Sequence, residues 1–257
     1  MRRWTTALAW TAVAVLLIAV ASACSGDSNP TISKVFKAPP WQSAERYTYD
    51  LRDQGNKLSG TCELKTTPEK EPGKTLLEHL CGNPDGDRDD RNVTVDSKTL
   101  MPFGGSRAIF DSKKKTTTTF TSTYTPPKVT FKADENGNVH NTERDLPTPD
   151  KDSPDPGYYD DESLFWVVRG VPLEKGWEGT YDDVNASNGR IFTATIKVEA
   201  TETVEVPAGK FTAWRIRLDT NSVTQFFWVD EAAPHAVLEA TIESITYKLT
   251  SASKGQG

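Results

Sequence analysis

Oxygen donors at every second position form the sharpest polar cluster of this 257-residue chain, Asn83-Pro84-Asp85-Gly86-Asp87-Arg88-Asp89-Asp90. Asn83, Asp85, Asp87 and Asp89, with Gly86 allowing a sharp bend, are the donors a hard cation such as Ca2+ requires, so they are the candidate metal ligands. The bidentate Glu that completes an EF-hand is missing, because the twelfth position counted from Asn83 is Thr94. An acidic solvated turn is therefore read ahead of a calcium loop. Acyl transfer needs a nucleophile with a base in reach, and the chain has only His79, His140 and His235 and no Gly-x-Ser-x-Gly elbow. Carboxylates are numerous enough for a glycosidase-like pair, yet none stands in an apolar setting that would raise its pKa. Trp166, Trp214 and Trp228 are the candidate wall of an apolar binding site, with ordinary core packing as the plainer reading.

Cys62 and Cys81 sit in two β-compatible segments, 57–65 and 75–82, separated by a run of turn formers from Thr66 to Lys74. An antiparallel hairpin would bring them opposite or nearly so. In an oxidising compartment this predicts a disulfide, closing about 20 residues and worth roughly 3 kcal/mol. Two buried free thiols are the alternative. Metal binding by these cysteines has no Cys-x-x-Cys motif or His pair to support it.

The elements that must position these groups read as strands. Residues 46–51, 92–96 and 128–132 alternate apolar and polar types between turn residues, as half-buried strands do. Residues 193–199, 203–206, 211–218, 222–229 and 235–249 predict a near-continuous meander rich in branched and aromatic residues. Lys113-Lys114-Lys115 before Thr116 is read as a hairpin tip rather than a basic recognition patch, and Asn136-Gly137 as a hairpin turn. One helix is expected, capped by Asp160 or Asp161, with Leu164, Phe165 and Val168 on one face and Gly170 and Pro172 ending it. It would plug or cover one face of the sheet. Residues 144–157, crowded with Asp and Pro, predict a surface loop.

Met1-Arg2-Arg3, an almost uncharged run from Trp4 to Val20, and Ala21-Ser22-Ala23 before Cys24 have the three-part layout of a secretory signal peptide over residues 1–23. A cysteine directly after a small-residue triplet resembles the lipobox of bacterial lipoproteins, in which that thiol is diacylated and becomes the new N-terminus. Ala21 stands where those proteins usually have Leu, which leaves an uncleaved anchor or secretion with a free thiol as alternatives. Two acyl chains give stable anchoring where one gives only reversible binding. Loss of residues 1–23 moves the formal charge from −6 to −8, which suits neither nucleic acid nor an anionic membrane surface as partner. Residues 24–42 are read as the tether, 43–250 as a single β-rich domain, and 251–257 as a C-terminal tail. Ser25 carries no Asp retention signal, so the outer membrane is the default that lipoprotein sorting implies where there are two.

A second resemblance rests on Tyr159-Asp160-x-x-Ser163-Leu164-Phe165 with Arg169, Pro172-Leu173 and Gly176, on Glu202-x-Val204-x-Val206-Pro207-Ala208-Gly209-x-Phe211, and on Phe227-Trp228-Val229-Asp230 with Pro234-His235. Here the chain resembles a family of bacterial periplasmic and lipid-anchored proteins known only as a domain of unknown function. The resemblance implies an antiparallel sheet curled into an open barrel in the cell envelope, and it supplies no catalytic residues. Val206-Pro207-Ala208-Gly209 has its own physical reading as a tight turn, because Pro207 cannot donate in a sheet and Gly209 accepts left-handed dihedrals.

The fold expected is mainly β, an antiparallel meander curled into an open or half barrel with one short helix. The function expected is that of a membrane-anchored extracytoplasmic lipoprotein, non-catalytic, binding an apolar ligand or an envelope protein, with no nucleic-acid partner and Ca2+ as the one candidate cofactor. The alternatives are a carboxylate-dependent enzyme acting on envelope polymers and a calcium-dependent adhesive module. Two facing buried carboxylates in a cleft would favour the enzyme.

Overall fold

The computed structural model describes residue 32 and residues 34–148, 157–220 and 223–254. Residues 1–23 and Cys24, and with them the signal-peptide and acylation readings, lie outside the described residues, as do parts of the expected tether and tail.

Alternating sequence becomes alternating burial. The strands are β1 (Glu45–Arg52), β2 (Leu58–Pro68), β3 (Lys74–Gly82), β4 (Arg88–Asp96), β5 (Pro102–Asp111), β6 (Thr116–Thr125), β7 (Lys128–Glu135) and β8 (Asn138–Asp145) in the first half. In the second half they are β9 (Tyr158–Asp160), β10 (Glu178–Asn185), β11 (Arg190–Val206), β12 (Gly209–Asp219), β13 (Thr224–Asp230), β14 (Val237–Ile242) and β15 (Ile245–Lys254). They form one 15-stranded sheet in the order β8-β7-β6-β5-β4-β3-β2-β1-β15-β14-β13-β12-β11-β10-β9. Among these strands, β9 and β10 alone pair in parallel. The first and last strands therefore meet in the middle of the sheet, with Thr48 opposite Ser251.

The sheet is not closed by backbone pairing, since β8 and β9 end it on opposite sides. It is curled all the same. Tyr124, Val129 and Phe131 of β6 and β7 pack with Tyr158 of β9 and Val184 of β10, and the Tyr124 and Tyr158 rings stack at 6.1 Å. The fold is thus the expected mainly β, open-barrel arrangement.

The helical segment fills the concave side. A 3-10 turn (Asp161–Ser163) leads into α1 (Leu164–Val167), and the Asp160 carboxylate caps it by accepting from the Glu162 N–H at 3.0 Å. Leu164, Phe165, Trp166 and Val167 are all buried, so the segment has no solvent face and acts as a plug rather than an amphipathic cover. Arg169 locks its far end. Its guanidinium is 4 % exposed, donates to Glu45 Oε2 at 2.9 Å and to the Pro234 and His235 carbonyls, and lies over the rings of Trp41 and Tyr47. That constellation gives Arg169 and Pro234-His235 a structural role.

Several expectations need correction. The domain does not begin at residue 43: Val35, Phe36 and Trp41 are buried in the main core, and Ile32 bridges to Thr180 of β10. Apolar residues embedded in a Pro- and Lys-rich stretch found a surface to cover, so part of the supposed tether is core. The supposed tail begins with 251–254, which belong to β15 because they complete the ladder with β1. Residues 193–199 and 203–206 are not separate strands but parts of β11, whose register shifts between Val198 and Ala200. A bulge of this kind adds a residue and bends the strand without ending it.

Candidate functional site

Cross-strand register builds one wall of a polar cleft. His79 of β3 lies opposite Arg91 of β4, which lies opposite Arg107 of β5. Asp89, two residues before Arg91, is on the same face. Both guanidiniums grip its carboxylate in bidentate fashion: Arg91 at 3.2 and 2.6 Å, Arg107 at 2.8 and 2.7 Å. Arg107 also donates to Ser187 at 3.2 Å, across the gap between the two halves of the sheet. The opposite wall comes from the plug, which contributes Asp161, Glu162, Leu164 and Phe165, and from Asp183 and Asn185 of β10. Phe192, Gln225 and the β14–β15 turn with Ile242 and Glu243 complete a cavity of about 310 Å3.

Burial dominates the electrostatics. Glu162 is 5 % exposed, and desolvation pushes its pKa from 4.5 up to about 8 against the counter-effect of Arg91. Its two carboxyl oxygens have no hydrogen-bond partner among the described residues, and Arg91 Nη1 stands 3.5 Å from Oε2. Asp183 is raised well above the usual range by burial and then by Asp161, with which it shares a side-chain hydrogen bond. Two carboxyls bonded to each other need a proton between them, so the pair behaves as one acid. Asn185 holds the other side of Asp161, donating at 3.0 Å. Asp160 lies deeper, accepts from Ser122 at 2.8 Å and Tyr124 at 2.6 Å, and is raised by burial to about 6. Burial also pushes Asp89 up, but the bonds from Arg91 and Arg107 prevail and hold it near 2.

His79 stands at the cleft floor. It is 3 % exposed, its ring packs on Phe165 at 5.1 Å and Tyr247 at 5.7 Å, and burial lowers its pKa to about 3, so the imidazole is neutral. Its Nε2 has no hydrogen-bond partner among the described residues, and neither has Oε1 of Gln225.

The residues singled out by sequence separate into different places. Asn83, Asp85, Asp87 and Asp89 do not converge on a cation. Asn83 Oδ1 accepts from the Asp87 N–H, Asp87 accepts from the Ser112 N–H and hydroxyl, Asp85 is exposed, and Asp89 points into the cleft between its two arginines. As folded, these side chains form no common set of donors among the described residues. Cys62 and Cys81 are directly opposite on β2 and β3 and joined by a disulfide. Their sulfurs and a His79 ring nitrogen lie within 4.8 Å of one another, but as a disulfide they offer His79 no thiolate partner for a metal. Trp166, Trp214 and Trp228 do not line one apolar pocket. Trp166 is core and donates to Thr66 Oγ1 at 2.7 Å, Trp214 packs partly buried against the core, and Trp228 sits beside Phe226 and donates to Glu202. A larger cavity, about 800 Å3, lies at the other end of the sheet beside Tyr47, Phe211, Leu238 and Leu249, and none of the three tryptophans reaches it.

Sequence reading missed Asp161, Glu162 and Asp183. The available signal was adjacency: Asp160-Asp161-Glu162 abut Leu164-Phe165-Trp166-Val167, and a helical turn apolar on every side must be buried, carrying its neighbours with it.

Residues 85–250, more than half the chain, match the family described as Protein of unknown function (DUF3108). No curated protein matches. Similar solved structures include a β-barrel-like protein of the domain of unknown function DUF1849 from Brucella abortus, 10% identical over 84% of this chain and 99% of that one, with a TM-score of 0.46. A Bacteroides fragilis protein with a YmcC-like fold is 14% identical over 86% of this chain and 100% of that one, with a TM-score of 0.30.

Proposed function

The chain belongs to the DUF3108 family of proteins of unknown function, and on that premise we propose an exported protein, anchored through acylated Cys24, that binds a small polar molecule without transforming it in the cleft between His79 and Glu162. The observation that carries the binding reading is convergence: His79 Nε2, both Glu162 carboxyl oxygens and Gln225 Oε1 are buried, lack hydrogen-bond partners among the described residues, and line the same cavity. Buried polar atoms left unsatisfied are costly, and a ligand offering complementary groups removes that cost. Export is supported by the signal-like residues 1–23 and by the Cys62–Cys81 disulfide, a bond that persists in oxidising compartments.

The ligand differs in kind from the apolar one expected along the tryptophans, because those rings are dispersed and the cleft is polar. A second reading, acid–base catalysis on an envelope polymer, is favoured by the proton shared between Asp161 and Asp183, which resembles the paired-carboxylate logic of hydrolases. Native mass spectrometry of the detergent-extracted protein from its own host tests the proposal. It should show diacyl mass on Cys24 and a co-purifying small molecule that is absent from the Glu162→Gln variant. Unacylated protein in the cytosol with both later thiols reduced would refute export, and an apo mass after gentle isolation would refute binding. Turnover of envelope polymer that stops in Asp183→Asn would move the assignment to the second reading.

A further inference from the structure

Charge in the cleft is distributed unevenly with respect to what is already satisfied. The two cations, Arg91 on β4 and Arg107 on β5, spend their Nε and Nη2 donors on Asp89, Arg107 Nη1 goes to Ser187, and Arg91 Nη1 faces Glu162 Oε2 at 3.5 Å. Little donor capacity is left for a ligand. What remains on the walls is mainly oxygen, the two of the Glu162 carboxyl, Oε1 of Gln225, and the carboxyls of Asp161, Asp183 and, at the β14–β15 turn, Glu243, with Nε2 of the neutral His79 beside them. An anion entering here would meet these oxygens and find the guanidiniums already occupied. A bare metal ion is not favoured either, because among the described residues the only group of ligand atoms close enough to hold one is Cys62, His79 and Cys81, where both sulfurs are in the disulfide. The apolar part of the lining, Leu164, Phe165, Phe192 and Ile242, suits a short hydrocarbon stem, and aromatic rings attract a cation.

Resting on the reading of this cleft as a binding site, we infer that its ligand is a small organic cation, an aliphatic amine whose ammonium group is taken by Glu162, Gln225 and the Asp161–Asp183 pair. A volume of about 310 Å3 sits at the lower end of small-molecule sites and fits a molecule of that size. Binding is coupled to proton release. An ammonium beside Glu162 favours its charged form, so the carboxyl that burial keeps protonated gives up its proton as the ligand enters. The other groups facing Glu162 leave this coupling in place. Arg91 on β4, whose Nη1 stands 3.5 Å from Glu162 Oε2, is a fixed cation that favours the charged carboxylate with or without ligand. His79 on β3 is held neutral, Asp89 on β4 is held ionised by Arg91 and Arg107, and Asp160 on β9, Asp161 on the plug and Asp183 on β10 are acids that a cation pulls the same way. Tyr247 on β15 is pushed further from titration by burial.

Isothermal titration of the full-length protein in detergent decides the matter, with 1,4-diaminobutane, 1,4-butanediol and succinate as probes at pH 6.5 and 7.5 in two buffers of different ionisation enthalpy. The diamine stays fully charged at both pH values. It should bind about tenfold more tightly at pH 7.5 while releasing a proton to the buffer, as linkage requires for one group titrating near pH 8. Glu162→Gln should remove most of the pH dependence, leaving only the smaller share of Asp160, Asp161 and Asp183, and weaken binding at least tenfold. Gln225→Leu should weaken binding while leaving the pH dependence intact, a second variant in case the first folds poorly. Silence from the diamine overturns the cation inference. If succinate or the diol binds instead, and Glu162→Gln removes the signal, the cleft remains a binding site for another chemistry; if none of the three binds, the binding reading falls as well.

Discussion

Glu162→Gln should stabilise the ligand-free protein, and by an amount that depends on pH. The side chain is 5 % exposed, lacks a hydrogen-bond partner among the described residues, and is raised from 4.5 to about 8 chiefly by desolvation. In the unfolded chain it ionises above pH 4.5, whereas in the folded protein it keeps its proton until about pH 8. A raised folded-state value means that the native state binds the extra proton across this window, so the stability contributed below pH 4.5 is lost as pH rises through 8. At about 1.4 kcal/mol per pH unit, the wild type should lag the variant by roughly 3 kcal/mol at pH 7, while the two should be nearly equal at pH 4.5. Gln carries no titrating proton and fills the same space, so the difference between the two curves isolates the carboxyl. Urea unfolding of both proteins at half-unit steps from pH 4.5 to 8.5 measures it. Parallel curves over that range would refute the argument, because they would mean that Glu162 is solvated or ion-paired well enough to ionise normally.

His79→Leu should relieve the opposite sensitivity. Burial lowers His79 to about 3, so its native state binds fewer protons than the unfolded chain below pH 6.5 and stability falls with acid; at pH 5 the variant should gain about 2 kcal/mol over wild type, measured by the same unfolding series. Arg169→Met leaves Glu45 buried without its cation and should cost about 3–5 kcal/mol, whereas Arg169→Met combined with Glu45→Gln should recover most of that in a double-mutant cycle. Replacing Cys62 and Cys81 together with Ala should cost roughly 3 kcal/mol, a value expected for a closed loop of 19 residues and read from the urea midpoint.

Strand positions were legible where one face is buried, and illegible where neither rule of alternation nor apolarity applied. β3 alternates cleanly in burial, and β4 and β7 do so over Asn92–Asp96 and Lys128–Lys132, the stretches where the sequence alternates too. β8 is almost wholly exposed at the sheet edge, so its residues Asn138–Asp145 show no apolar period to detect. β11 looked broken because residues 200–202 fell between two alternating stretches, yet backbone pairing with β12 continues through them past the bulge. The cleft was least legible. Arg91, Arg107 and Asp89 look like surface charges on strands, and only the register that sets Arg91 against Arg107 and the plug that covers them turn them inward. The turn at Pro207-Ala208 was readable from local chemistry alone, since Val206 pairs with Gly209 across two residues.

The meeting of β1 with β15 in the centre of the sheet has a consequence for how the molecule is made. Each of the first eight strands finds its partner within a few dozen residues, as does each strand from β11 to β15, but β1 waits for β15 before its second edge is covered. Until β15 has emerged, that edge is a bare row of N–H and C=O groups able to template pairing with another molecule. Sealing it also requires ordering some two hundred residues, as in the Thr48–Thr250 hydroxyl contact at a separation of 202, so this single ladder carries the slowest search in the fold. A half-emerged chain is most in need of a chaperone at β1, and deleting β15 should harm its solubility more than deleting β8.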